Sequence, residues 1–97
     1  MRVQVNGLTP ELFLELYQSV GWEAPGKEQV DEALRHTLAT FTAYDCDRPV
    51  GMVRLLGDGG MSFYVKDFAV LPSYQSRGVG SLLLESAQQY ILSLIHI

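Results

Sequence analysis

Apolar residues along this chain recur with two periods, and the switches between them mark out the elements. Val3 and Val5 alternate with polar neighbours in Met1 to Val5, the pattern of a short strand. From Thr9-Pro10-Glu11 the period lengthens. Phe13, Leu16, Tyr17 and Val20 fall three and four apart, one buried face of a helix that Gly21 ends. Thr9 suits the N-cap, Pro10 the first helical position and Glu11 the positive end of the helix dipole. Trp22 follows the glycine, and Pro25-Gly26 leads into a second helix with Val30, Ala33, Leu34 and Leu38 on one side. Period two returns at Ala39 to Tyr44, where Phe41 and Ala43 oppose Thr40 and Thr42. A turn at Asp45 to Arg48 joins this to a strand over Val50 to Leu56, and Gly57-Asp58-Gly59-Gly60 tolerates the positive φ of a second turn. Met61 to Val70 is the third strand of the run, with Ser62, Tyr64, Lys66 and Phe68 on one face and Phe63, Val65, Asp67 and Ala69 on the other. Spacing and turn chemistry predict an antiparallel meander. A last helix begins near Gly78 and carries Val79, Leu82, Leu83, Ala87, Tyr90, Ile91 and Leu94 on its apolar stripe.

Between that strand and that helix lies Val70-Leu71-Pro72-Ser73-Tyr74-Gln75-Ser76-Arg77-Gly78-Val79-Gly80-Ser81. A strand that runs through a glycine-punctuated turn into a helix start is built to hold a phosphate, because N–H groups at a helix start are unpaired and the dipole adds positive charge there. Gly78 and Gly80 are expected to clear side chains from the path of a pyrophosphate to those donors. Rossmann-type dinucleotide binding is a competitor, but it wants a third glycine where Leu83 stands, and parallel strands.

Asp67 to Leu84 resembles the acetyl-coenzyme A motif of the GCN5-related N-acetyltransferases, Q/R-x-x-G-x-G/A, here Gln75-x-x-Gly78-x-Gly80 after an apolar strand and a Pro72-Ser73-Tyr74 turn. The fold class the resemblance implies is α/β (α+β), GNAT-like: an N-terminal strand and two helices, an antiparallel three-strand meander, then the pyrophosphate-loop helix. It implies one partial N-acetyltransferase domain over residues 1–97, with the cofactor-binding core over about 39–94. Family members usually continue with a fifth strand, a helix carrying a tyrosine used as general acid, and a closing hairpin. The sequence ends before any such segment, and the apolar Ser93-Leu94-Ile95-His96-Ile97 end is expected to mark a C-terminal truncation, a gene fragment or a mistaken reading frame.

The resemblance carries over Gln75, Ser76, Arg77, Gly78, Val79, Gly80 and Ser81 as the pyrophosphate loop, and Phe68, Ala69 and Val70 as the strand whose backbone pairs with the pantetheine arm. One N–H of that strand is expected to polarise the thioester carbonyl. Asp67 is the carboxylate in range to take an amine proton or bind the ammonium, the catalytic candidate, and an acid hydrogen-bonded within the sheet is the alternative for it. Tyr17, Trp22 and Tyr64 are the candidates for lining the acceptor site, with Trp22 as a packing plug the competing role. Tyr74 is expected to pack beneath the loop. His36 and His96 receive no role, and no His/Cys/Asp/Glu spacing suggests a metal.

An apolar content of 47% with 10% aromatic residues in 97 makes the chain globular. A net charge of −4 argues against a nucleic-acid partner and is compatible with a cationic substrate such as an amine. The single Cys46 excludes an internal disulfide and fits a reducing compartment, with the cytoplasm as default; no apolar run spans a bilayer. The expected activity is acetyl transfer from acetyl-CoA to a primary amine without a metal. A non-catalytic acyl-CoA sensor is the alternative, and plain phosphate or nucleotide binding a third. An unpaired edge on the fourth strand invites a homodimer.

Overall fold

A computed structural model describes residues 1–95. Its elements are β1 (Arg2–Val5), α1 (Pro10–Ser19), α2 (Lys27–Arg35), β2 (Ala39–Asp45), β3 (Arg48–Gly57), β4 (Phe63–Val70), a 3₁₀ turn (Pro72–Tyr74) and α3 (Val79–Ile95). The four strands form one antiparallel sheet in the order β1-β2-β3-β4. Among the described residues β4 is therefore an edge, as the meander predicts.

The sheet is covered on both faces. On one, Phe41, Val53 and Leu55 meet Val79, Leu83 and Ala87 of α3. On the other, Met52 and Ala69 meet Phe13 and Leu16 of α1 and Val30 of α2. Two-sided cover explains why β3 is buried from Val50 to Leu55 and reads as a nearly continuous apolar run. It also changes the reading of β2: Thr40 and Thr42, the polar half of the alternation, are buried under the α1/α2 layer. Each such apolar side chain taken from water contributes about 1.5–3 kcal/mol, which is how three short helices hold a four-stranded sheet.

Local signals acted as the residues require. The Leu12 N–H donates to Thr9 Oγ1 at 3.2 Å and Pro10 opens α1. Two boundaries differ from expectation. Leu38 lies beyond α2; its N–H donates to the Leu55 carbonyl at 3.0 Å, so it leads into β2 and packs on the α3 side. The third meander strand begins at Phe63, because Asp58 Oδ1 accepts from the N–H groups of Gly60, Met61 and Ser62 and keeps them in the turn.

The larger correction concerns β4. Met52 pairs with Ala69 and Arg54 with Lys66, so Val53 faces two residues, Asp67 and Phe68. This is a β-bulge, and Asp67 occupies its left-handed position at φ +56°. An inserted residue reverses the alternation. Phe68 thus joins Phe63 on the α3 side, while Asp67 turns with Lys66 toward α1 and α2.

Candidate functional site

Two features meet along β4. The first is its C-terminal end. The Leu71 N–H donates to the Val50 carbonyl at 2.9 Å, so alternation sends the Val70 N–H and C=O to the open side of the strand. The Gln75 side chain turns back to donate to that Val70 carbonyl at 3.1 Å. Ser76 (φ +63°) and Gly78 (φ +85°) are both left-handed, with Arg77 between them. Such alternation turns successive N–H groups into one concavity, an anion nest. The Leu82 N–H donates to Gly78 O at 3.1 Å, which leaves the N–H groups from Gly78 to Ser81 ahead of the first bond inside α3. A Cβ on Gly78 would meet nothing within 4 Å, so the mouth of this nest is open.

Beneath the loop, Tyr74 is buried and its hydroxyl donates to Asp45 Oδ2 at 2.6 Å. The Arg77 guanidinium lies 4.7 Å from the ring centroid and that of Arg48 5.5 Å, so two cations rest on one aromatic platform beside the nest. The hydrogen bond to Asp45, then burial, then the Asp45 charge raise the phenol pKa above its ordinary value.

The second feature is a cleft of about 190 Å³ between α1, α2 and the bulged part of β4. Phe13, Tyr17, Val30 and Leu34 form its apolar side; Arg54, Lys66 and Asp67 form its charged side. Arg54 Nε lies 2.9 Å from Asp67 Oδ2, both side chains being about nine-tenths buried. The Nε–H is not aimed at that oxygen, so the contact is charge pairing rather than an aligned hydrogen bond. Arg54 Nη1 donates to Thr37 Oγ1 at 3.4 Å.

Comparisons with known proteins identify the family and fold. Residues 36–96 match the family described as "Acetyltransferase (GNAT) domain". The chain belongs to the GNAT acetyltransferase family. It is 31% identical over 87 residues to GCN5-related N-acetyltransferase 1, chloroplastic, of Arabidopsis thaliana, a match that takes in 88% of this chain and 44% of that protein. A GNAT-family acetyltransferase structure from Streptococcus pneumoniae superposes at TM-score 0.82 with 41% identity, over 93% of this chain and 67% of that one. A probable acetyltransferase from meticillin-resistant Staphylococcus aureus gives TM-score 0.84 at 38% identity, over 97% and 72%. The chain thus spans less than half the length of the curated relatives it matches.

Within this GNAT domain the residues expected from sequence fall into three groups. Gln75, Ser76, Arg77, Gly78, Val79, Gly80 and Ser81 form the nest and helix start together, and Phe68, Ala69 and Val70 form the strand leading into it. Gly80, however, does not serve access. A Cβ there would sit 3.0 Å from Phe68 Cζ, so the missing side chain lets α3 close onto β4. Asp67 and Tyr17 line the cleft. Trp22 and Tyr64 do not: Trp22 packs edge-on to Tyr17 at 5.0 Å, and Tyr64 is 67% exposed near the strand's far end. Arg54, Lys66 and Phe13, which also line the cleft, were not among the site candidates read from the sequence. Arg54 had a signal, a lone charge inside the apolar run Val50 to Leu56. His96 lies outside the described residues. Among the described residues no cluster of metal-binding side chains occurs, and no helix is long and apolar enough to cross a membrane.

Proposed function

We propose that this chain binds acetyl-CoA along β4 and the β4–α3 nest and serves acetyl transfer to a primary amine held in the α1/α2 cleft. The observation that carries the reading is the open nest at Ser76 to Ser81 at the end of an edge strand whose Val70 N–H faces outward. The nest and the helix dipole suit a pyrophosphate, and Arg77 adds a cation. The outward Val70 backbone suits an extended pantetheine arm, which pairs as an added strand would. When bound, acetyl-CoA supplies a thioester that an amine nitrogen opens, the C–N bond forming as C–S breaks, with one proton leaving the amine and one reaching the thiolate.

The protein's own part is orientation and proton handling. The bulge at Asp67 breaks the ladder to β3 and so turns the backbone N–H groups of β4 away from regular pairing, where they can polarise a carbonyl. Asp67 faces the cleft and is paired to Arg54, an arrangement that suits holding the acceptor's ammonium beside a fixed carboxylate. The exposed Cys46 fits a reducing compartment such as the cytoplasm.

A non-catalytic acyl-CoA-binding module is the second reading, and the pairing of Asp67 is the observation that favours it. Calorimetric titration with acetyl-CoA, with Arg77→Glu as control, tests what the two share: wild-type binding that the variant weakens is expected, and a folded chain that binds ATP as well as it binds acetyl-CoA overturns both. Release of free thiol on adding amines separates them.

A further inference from the structure

The cleft carries a charge opposite to that of the protein. The chain has a net charge of −4, yet the charged residues lining the cleft are Arg54, Lys66 and Asp67, a surplus of one positive charge. Asp67 is occupied by Arg54 at 2.9 Å, and Lys66 has no ion-pair partner among the described residues. The Arg54 guanidinium has five N–H donors, and the one hydrogen bond it makes among the described residues, from Nη1 to Thr37 Oγ1, leaves most of them uncommitted in a residue that lines the cavity. Facing these cations, Phe13 and Tyr17 stack at 5.1 Å between centroids, and Val30 and Leu34 continue the apolar side.

A polycationic amine would meet Lys66 and Arg54 at short range and be repelled. A plain hydrocarbon amine would fill the apolar side and leave both cations without a counter-charge. A molecule with an apolar or aromatic body, an amine and a carboxylate satisfies every part of the lining. The body lies against Phe13 and Tyr17, the ammonium by the Asp67 carboxylate, and the carboxylate by Lys66 and the guanidinium of Arg54.

We infer that the acceptor cleft selects an amine bearing a carboxylate, an amino acid or a close relative, with Lys66 as the residue that sets this preference. The inference rests on the acetyl-transfer reading for the role of the cleft, but is read out separately. Net charge alone is compatible with a cationic amine; the lining narrows this to an amine that also carries an anion.

The test compares L-phenylalanine, phenethylamine and spermine, titrated calorimetrically into the full chain, alongside acetyl-CoA as a fourth ligand. A charge-assisted contact to the carboxylate predicts that L-phenylalanine binds about tenfold tighter than phenethylamine. Lys66→Gln is expected to remove most of that ratio, and Lys66→Glu to invert it while leaving acetyl-CoA affinity unchanged. Lys66 is exposed, so both variants keep the fold. Equal or tighter binding of phenethylamine or spermine, or no binding of any amine by a chain that binds acetyl-CoA, overturns the inference and leaves the cofactor reading intact. Failure of acetyl-CoA alone to bind overturns the cofactor reading while the ratio among the amines still decides this one.

Discussion

Arg54 and Asp67 join β3 to β4 across the bulge, Nε to Oδ2 at 2.9 Å, with both side chains about nine-tenths buried. Asp67 holds a left-handed backbone at φ +56°, a conformation that Asp tolerates better than most residues, and Arg54 keeps its carboxylate from being a buried charge without a partner. Removing one partner from such a pair costs about 3–5 kcal/mol, whereas removing both can be close to neutral. Arg54→Met alone should therefore lower the urea midpoint sharply, and Arg54→Met combined with Asp67→Gly should recover most of the loss. Glycine also relieves the positive φ. If the double variant is as unstable as the sum of its parts, the pair is not a coupled unit.

Gly78 and Gly80 stand two residues apart in one motif, and different physics governs them. Alanine at Gly80 brings a Cβ to 3.0 Å from Phe68 Cζ, an overpacking cost of about 1–3 kcal/mol. Alanine at Gly78 meets no atom within 4 Å, but at φ +85° a Cβ costs about 1–2 kcal/mol of backbone strain. Phe68→Leu should rescue Gly80→Ala and do nothing for Gly78→Ala. Denaturant unfolding of the two double variants measures the difference, and rescue of both or of neither contradicts this assignment.

Most of the fold was legible because its signals are local. Thr9 and Pro10 cap α1, the turns at Asp45 to Arg48 and Gly57 to Gly60 set the meander, and Gln75 to Gly80 sit where a strand gives way to a helix. What misled is non-local. No pattern in Met61 to Val70 announces the extra residue at Asp67, and one inserted residue moved Phe68 to the other face. The two roles of glycine in the loop also look alike in sequence; only the position of Phe68 beneath α3 separates them. Tyr17 and Asp67 were legible as cleft residues, but the rest of its lining escaped for the same reason. Phe13, Arg54 and Lys66 come from three elements, and the surplus of Arg54 and Lys66 over Asp67 at one cleft exists only after the chain folds.

Thr42 is 1% exposed on the α1/α2 side of β2, and its hydroxyl has no partner among the described residues. A buried hydroxyl without a hydrogen bond costs about 1–3 kcal/mol by protein mutational data. Valine keeps the β-branched shape and removes the cost. Thr42→Val should raise stability by about 1 kcal/mol, a gain of about 4–8 °C in Tm for a chain this size. A fall in Tm would mean the hydroxyl is satisfied by water.

Asp58 has its carboxyl held down from 3.8 to about 2, chiefly by the N–H groups of Met61, Gly60 and Ser62. Because the folded value is depressed, its contribution is complete above the unfolded value and disappears as pH falls through the folded one. The gap in urea midpoint between the wild type and Asp58→Ala should be constant above about pH 5 and close between pH 4 and 2. A gap that does not vary with pH would show that the turn holds without the charge.

Tyr74 offers a separation of stability from binding. Its hydroxyl donates to Asp45 Oδ2 at 2.6 Å, and its ring carries Arg77 at 4.7 Å. The raised phenol pKa means that the hydroxyl's contribution is present below the unfolded value near 10 and is lost as pH rises through the folded value. Tyr74→Phe should therefore lower the urea midpoint at pH 7 and approach the wild type above pH 10, with acetyl-CoA affinity nearly unchanged because the ring still supports Arg77. Tyr74→Leu keeps apolar bulk in the core but removes the aromatic face. Its expected signature is a loss of acetyl-CoA affinity larger than that of Tyr74→Phe, since Arg77 is then no longer held at the mouth of the nest. Equal affinities for the two variants in calorimetry would show that the arginine finds its place without the ring, and that the nest's backbone N–H groups alone hold the anion.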